Sequence, residues 1–182
     1  MSAITDTAGT IPAGTYTSVP AHSGAEFAVK YVVSTFRGSF TDFEATLTAN
    51  EAGEAHLDGT VKVDSIVVKD ENLAAHLKSP EFFDTEQYPE LTFRSLKLTR
   101  DGDNVSVEGE LTIKGHTETI TGTGTITGPA EDAFGNTKIG LALETVVDRT
   151  KFGLNWNAPL PKGGFALSNE VKLAVELELV KA

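Results

Sequence analysis

Between Thr117 and Thr127 every odd position is threonine, and Ile120, Gly122, Gly124 and Ile126 take even ones. A strict period of two sustained this long fits one conformation: a strand with one face toward water and the other turned inward. The same signal recurs along the chain. Phe27, Val29, Tyr31 and Val33 share a face in EFAVKYVV, as do Phe43, Ala45, Leu47 and Ala49 in DFEATLTA. Val61, Val63 and Val67 align in TVKVDSIVV. Val105, Val107, Leu111 and Ile113 align in the next run, and Val171, Leu173, Val175, Leu177 and Leu179 in the last. With TYTSV and KIGLALETVV the pattern predicts about nine strands.

In LTFRSLKLT the apolar phase moves by one residue between Phe93 and Leu96, which predicts a β-bulge at Arg94 and Ser95. Turn signals stand at Asp101–Asn104, Lys114–His116 and Phe134–Asn136. Residues 1–14 carry no pattern and read as a loose arm; residues 15–182 read as a single domain without internal repeats. Antiparallel strands with one apolar face close either as a sandwich or as a barrel. Patterns of ten or so residues suit a deep barrel better than a compact sandwich. Gly59, Gly109, Gly122, Gly124 and Gly140 lie inside strand patterns, several of them on the apolar phase. Each reads first as a bulge or bend, and together they are compatible with an incompletely filled interior.

One stretch interrupts the strands. Asp70 is placed to cap ENLAAHLK, whose Leu73 and Leu77 share a face, and Ser79-Pro80 resembles the start of a second short helical turn carrying Phe82 and Phe83. Pieces this short do not stand alone in water. Two adjacent phenylalanines also call for an apolar receiver, which the strands must provide.

Composition excludes several functions. A formal charge of −11 argues against binding a phosphate backbone and against docking on anionic lipid headgroups. With no cysteine there is no disulfide or thiolate chemistry. The N-terminus lacks the charge and apolar run of an export signal, and no segment suits a membrane-spanning helix, so a cytoplasmic protein is expected. His22, His56, His76 and His116 are widely spaced, which speaks against a metal site. His22-Ser23 has no nucleophile elbow to accompany it. Asp148 and Arg149 would point to opposite faces of a strand; Arg149 reads as half of an ion pair, with contact to a ligand headgroup as its other use. Trp156, in a loop rich in Asn, Pro and Gly, suits either a cover over one end or a subunit contact.

HSGAEFAVKYVVSTFRGSF, VKVDSIVVKDENLAAHLKSPEFFDTEQYPELTF, GELTIKGHTETI and VDRTKFGLNWN stand in the order found in the YceI-like family, which this sequence resembles from Tyr16 to its last strand. The resemblance implies an all-β, lipocalin-like, eight-stranded antiparallel barrel with a short helical insert at about residues 70–84. It implies a hydrophobic lumen holding a long, largely neutral lipid: a polyisoprenoid, an isoprenoid quinone or a fatty-acid derivative. Tyr31 departs from the family pattern, which commonly has histidine after the basic residue corresponding to Lys30. On this reading the ligand is lined by Phe27, Val29, Phe36, Phe40, Phe43, Leu73, Leu77, Phe82, Phe83, Phe93 and Ile113, with Arg149 at the end. Seven of the ten phenylalanines fall between Phe27 and Phe93, so the aromatic lining should concentrate there. No catalytic residue, metal or cofactor is expected, and the family raises the prospect of a homodimer. Two other readings stay open: a solid-cored interaction module, and an enzyme acting on an isoprenoid quinone, for which no buried polar constellation is visible.

Overall fold

A computed structural model describes residues 10–182. Among them, eleven strand segments form one continuous sheet: β1 (Gly14–Ser18), β2 (Gly24–Tyr31), β3 (Ser34–Phe40), β4 (Phe43–Ala49), β5 (Ala55–Lys62), β6 (Ile66–Val67), β7 (Glu90–Asp101), β8 (Asn104–Ile113), β9 (His116–Glu131), β10 (Thr137–Asp148) and β11 (Leu167–Lys181). Six of these combine into three bent staves. β2 pairs with β3 while β1 pairs with β4, as one long hairpin, and β5 and β6 continue it against β4 and β3. Eight staves result, each antiparallel to its neighbour in sequence. The ring closes where β11 pairs with both β1 and β2. Closure removes the exposed edges that an open sheet would leave.

The alternating residues sort as their period requires. Ala45, Leu47 and Ala49 point inward with Val105, Val107, Leu177 and Leu179, and fill one half of the barrel solidly. Tyr16 is fully buried in this half, its hydroxyl donating to the carbonyl of Pro12 at 2.8 Å. Ile11, 3% exposed, belongs to the same core. Of the arm expected over 1–14, residues 1–9 lie outside the described residues, and Ile11 packs rather than floats. The bulge in β7 falls where the phase moved: register shifts between Ser95 and Lys97, and Ser95 turns inward so that its hydroxyl accepts from the Leu57 amide at 2.8 Å.

Two expectations about phase fail at bends. A 3-10 turn over Val63–Ser65 separates β5 from β6, so Ile66 is buried while Val67, expected beside Val61 and Val63, is 50% exposed. Val33 leaves the face of Phe27 and Val29 because the strand ends first: Tyr31 pairs with Ser34, and Val32-Val33 form the two-residue turn. The Lys114-Gly115 turn, between the paired Ile113 and His116, has positive φ at both positions and glycine at the second. At the β2–β3 turn a β-branched residue, Val32, takes φ of 51°. That conformation is a strained outlier for such a side chain. A Val32→Asn variant should therefore be more stable by about 1 kcal/mol, measurable as a raised urea midpoint.

Between β6 and β7, α1 (Glu71–Lys78) is capped as expected, the Asp70 carboxylate accepting from the amides of Asn72 and Leu73. The second helical turn does not form. Ser79 ends α1 instead, its hydroxyl donating to the His76 carbonyl at 2.6 Å, and the backbone wraps around it: the amides of Phe82 and Asp84 both reach the Ser79 carbonyl. This tight reversal sets Phe82 and Phe83 in place.

Candidate ligand cavity

The half of the barrel opposite the solid core is hollow. A cavity of about 700 Å³ extends from a floor at Leu57, Val107, Leu143 and Leu177 to a cover formed by α1 and the segment after β10. All twelve residues assigned above to a ligand lie on its wall. Phe27, Phe36 and Phe40 form an aromatic side, with neighbouring ring centroids 5.8 Å apart, and Phe83 meets Phe40 edge-on at 6.2 Å. The aromatic lining does concentrate on the staves from β2 to β7.

The glycines explain why the space exists. Gly59 and Gly122 face inward, and a Cβ on either would find no atom nearer than 3.6 Å. They leave room. Gly109 and Gly38 face inward too, but a Cβ there would collide with the rings of Phe93 and Phe27, which lie across them. Each of these rings fills space a neighbouring strand vacates. Gly140 belongs to neither class, since its neighbours Ile139 and Leu141 are the inward residues of β10.

Phe82 and Phe83 divide the work of the cover. Phe82 is buried in an aromatic cluster with His76 and Trp156, centroids 5.0 and 5.4 Å away, and His76 also meets Trp156 edge-on at 4.9 Å. His76 Nε2 lies 2.8 Å from a Glu81 carboxylate oxygen at the outer edge of this cluster. Trp156 thus ties the segment after β10 to the helical insert. Phe83 is less buried and lies between the aromatic side and the Leu111–Leu154 cluster.

Arg149 lies on the cavity wall but does not form the ion pair read for it. It is 4% exposed and forms no ion pair with a carboxylate among the described residues. Its guanidinium instead donates to backbone carbonyls: Nε to Ser168 at 2.8 Å, Nη1 to Leu154 at 2.6 Å and Trp156 at 2.9 Å, and Nη2 to Leu167 at 3.5 Å. The planar fork holds the loop that carries Leu154 and Trp156 against the start of β11. Burial lowers its pKa, opposed by the charge of Asp148. Asp148 faces away and caps the turn Arg149–Phe152. Bonds from the Thr150 hydroxyl and amide hold its carboxyl below the usual aspartate range.

Sequence reasoning missed part of the wall. Phe152 and Leu154 line the cavity from a segment with no strand period, and His76 sits on the polar side of the helical pattern; Trp156, read as suited to cover one end, lines it as part of that cover. Leu91, Leu111, Val171 and Leu173 also line it, and their inward phase was the available signal. His22, beside Ser23, pairs with Glu178 on the outer wall, far in role from any nucleophile. Among the described residues, no three or more His, Cys, Asp or Glu gather where they could hold a metal ion.

A closed eight-stave antiparallel barrel, solid at one end and hollow beneath a helical cover at the other, defines a lipocalin-like architecture. The family model for the YceI-like domain matches residues 16–179, and the chain belongs to that family. It is similar to protein YceI of Escherichia coli O17:K52:H18, 31% identical over 99 residues, 53% of this chain and 52% of the relative. The chain spans about half the length of the curated relatives it matches. Among solved structures, BcnA of Burkholderia cenocepacia superposes with a TM-score of 0.75 at 23% identity, over 91% of this chain and 99% of that one. A polyisoprenoid binding domain from Saccharophagus degradans superposes with a TM-score of 0.67 at 14% identity, over 93% and 99%.

Proposed function

We propose that this protein carries or stores a long-chain, largely neutral lipid, and performs no chemistry on it. The hollow half-barrel is the observation that carries this reading: about 700 Å³ of space walled mainly by aliphatic and aromatic side chains. That volume lies within the range of small-molecule sites. Burying several hundred Å² of hydrocarbon there yields on the order of 10 kcal/mol at ~25 cal/mol per Å², before the entropic cost of association. No charged anchor is needed, and Arg149, the buried cation beside the cavity, is already engaged by carbonyls. The structural likeness to a polyisoprenoid binding domain agrees with a prenyl chain as cargo, and an isoprenoid quinone or fatty-acid derivative has the same apolar body. An interaction module would call for a filled barrel, which favours the carrier over that alternative.

Native mass spectrometry of the purified protein, with organic extraction, tests this directly. The expected result is a bound mass that extracts as an isoprenoid or fatty chain. An apo mass, together with failure to bind added quinones, polyprenols and fatty amides, would overturn it. The two adjacent phenylalanines should then separate. Phe83→Ala is expected to weaken retention about tenfold with little change in stability, whereas Phe82→Ala should cost about 3 kcal/mol of stability, because its ring is buried between His76 and Trp156. Paired denaturation and lipid-retention measurements would distinguish the two.

A further inference from the structure

Beside the cavity, the rim exposes apolar side chains that the fold does not use. Val33 at the tip of the β2–β3 turn is 97% exposed, and Val32 and Tyr31 are exposed next to it. Phe165, 66% exposed, lies on the adjoining segment, because the Val32 amide donates to the Ala166 carbonyl at 2.8 Å and Tyr31 pairs with Leu167. Tyr31, Ser34 and Thr35 also line the cavity, so the patch borders its mouth. The valine turn is costly in its own right, since Val32 holds a positive φ where a more permissive residue would relax it.

Exposed cations border this patch. The β2–β3 hairpin and the loop before β11 carry the exposed cations Lys30, Arg37 and Lys162, with Glu170 as the acid beside them on β11. Lys30 and Arg37 project from the outer face of the β2–β3 hairpin as diagonal neighbours, since Lys30 pairs with Thr35 and Ala28 with Arg37. Lys162 is exposed on the loop that carries Phe165. Asp70, an acid on the cavity wall, caps α1. The net charge of −11 averages over a rim that carries Lys30, Arg37 and Lys162.

We infer that this rim docks the protein on the surface of an anionic lipid bilayer, with Val32, Val33 and Phe165 entering the interface and Lys30, Arg37 and Lys162 facing headgroup phosphates. Exposed apolar residues bordered by cations suit that surface, which attracts bases and accepts shallow hydrocarbon insertion. The contact is transient, as a few side chains do not anchor a protein. It sets the cavity mouth against the bilayer, so that an apolar cargo can cross without entering water. This inference rests on the carrier reading, and it concerns residues outside the cavity wall apart from Tyr31.

The test is flotation of the protein with phosphatidylcholine vesicles, with and without phosphatidylglycerol. Binding is expected only to the anionic vesicles and should fall as salt is raised. Lys30→Glu and Arg37→Glu should each reduce it about fivefold, and Val33→Asp about tenfold. Lipid retention in vesicle-free solution should be unchanged in all three variants, which separates failure of docking from failure of the carrier reading. Equal binding to both vesicle types, no binding to either, or variants that bind like the parent would overturn the inference. So would a dimer, seen by sedimentation, that Val33→Asp dissociates, because the patch would then belong to a second copy of the chain.

Discussion

Replacing Arg149 with leucine is expected to destabilise the protein by about 3–5 kcal/mol, among the largest effects of any single substitution in the chain. The side chain is buried, and its fork satisfies carbonyls of Leu154, Trp156, Leu167 and Ser168. An apolar side chain would deprive the Leu154, Trp156 and Ser168 oxygens of this donor, while the Leu167 oxygen keeps the Asn157 side-chain amide at 2.7 Å. Lysine should recover less than half of the loss, because a single ammonium cannot reproduce donors spread over the guanidinium plane. The damage should also reach the cavity. Trp156 holds the cover only while its loop is fastened to β11, so cargo retention in surviving folded protein should fall as well. Urea denaturation measures the first effect and lipid extraction the second. An Arg149→Leu protein with the parental midpoint would show that the carbonyl clamp contributes little.

Gly122→Phe is the complementary experiment, expected to abolish cargo binding while leaving the barrel intact. Gly122 faces the hollow half opposite Val107 in β8, and nothing lies within 3.5 Å of where its Cβ would be. A benzyl group there would occupy space that the cargo needs, and affinity should drop by roughly a hundredfold or more. Stability should hold or rise slightly, because glycine inside a strand costs roughly 0.5–1 kcal/mol. Gly109→Ala is the control. It adds far less volume, yet the Phe93 ring and the Arg94 carbonyl stand where its Cβ must go, so a loss of about 1–3 kcal/mol is expected. A Gly122→Phe variant that still extracts with lipid would place the cargo elsewhere.

These two glycines also mark the limit of what could be read before folding. Both lie in strand patterns on the apolar phase, and their one-dimensional surroundings are alike. Only the neighbouring strand distinguishes them: Phe93 crosses Gly109, and nothing crosses Gly122. A cavity is the absence of a cross-strand neighbour, and such neighbours are set by register. The same limit applies to Arg149. Its adjacency to Asp148 suggested an ion pair, but its partners are carbonyls of a loop and of a strand up to nineteen residues away. The rim's cations were likewise hidden in a negative total, since β2–β3 and the loop before β11 meet only when Tyr31 pairs with Leu167.

What the sequence determined by itself was every property that repeats locally. Period-two alternation assigned the inward faces of β4, β8, β9 and β11, the phase slip placed the bulge at Ser95, and Asp70 started the helix. These follow from the backbone geometry of a few adjacent residues, which any context must respect. The tertiary structure decided where that period breaks. The Val63–Ser65 turn sends Val67 outward, the Val32-Val33 turn ends β2 before its pattern does, and the wrapping of Phe82 and Asp84 around Ser79 replaces a second helical turn. It also decided that one end of the tube is filled and the other hollow. Alternation states which side of a strand faces inward; how much material arrives there depends on all eight staves at once.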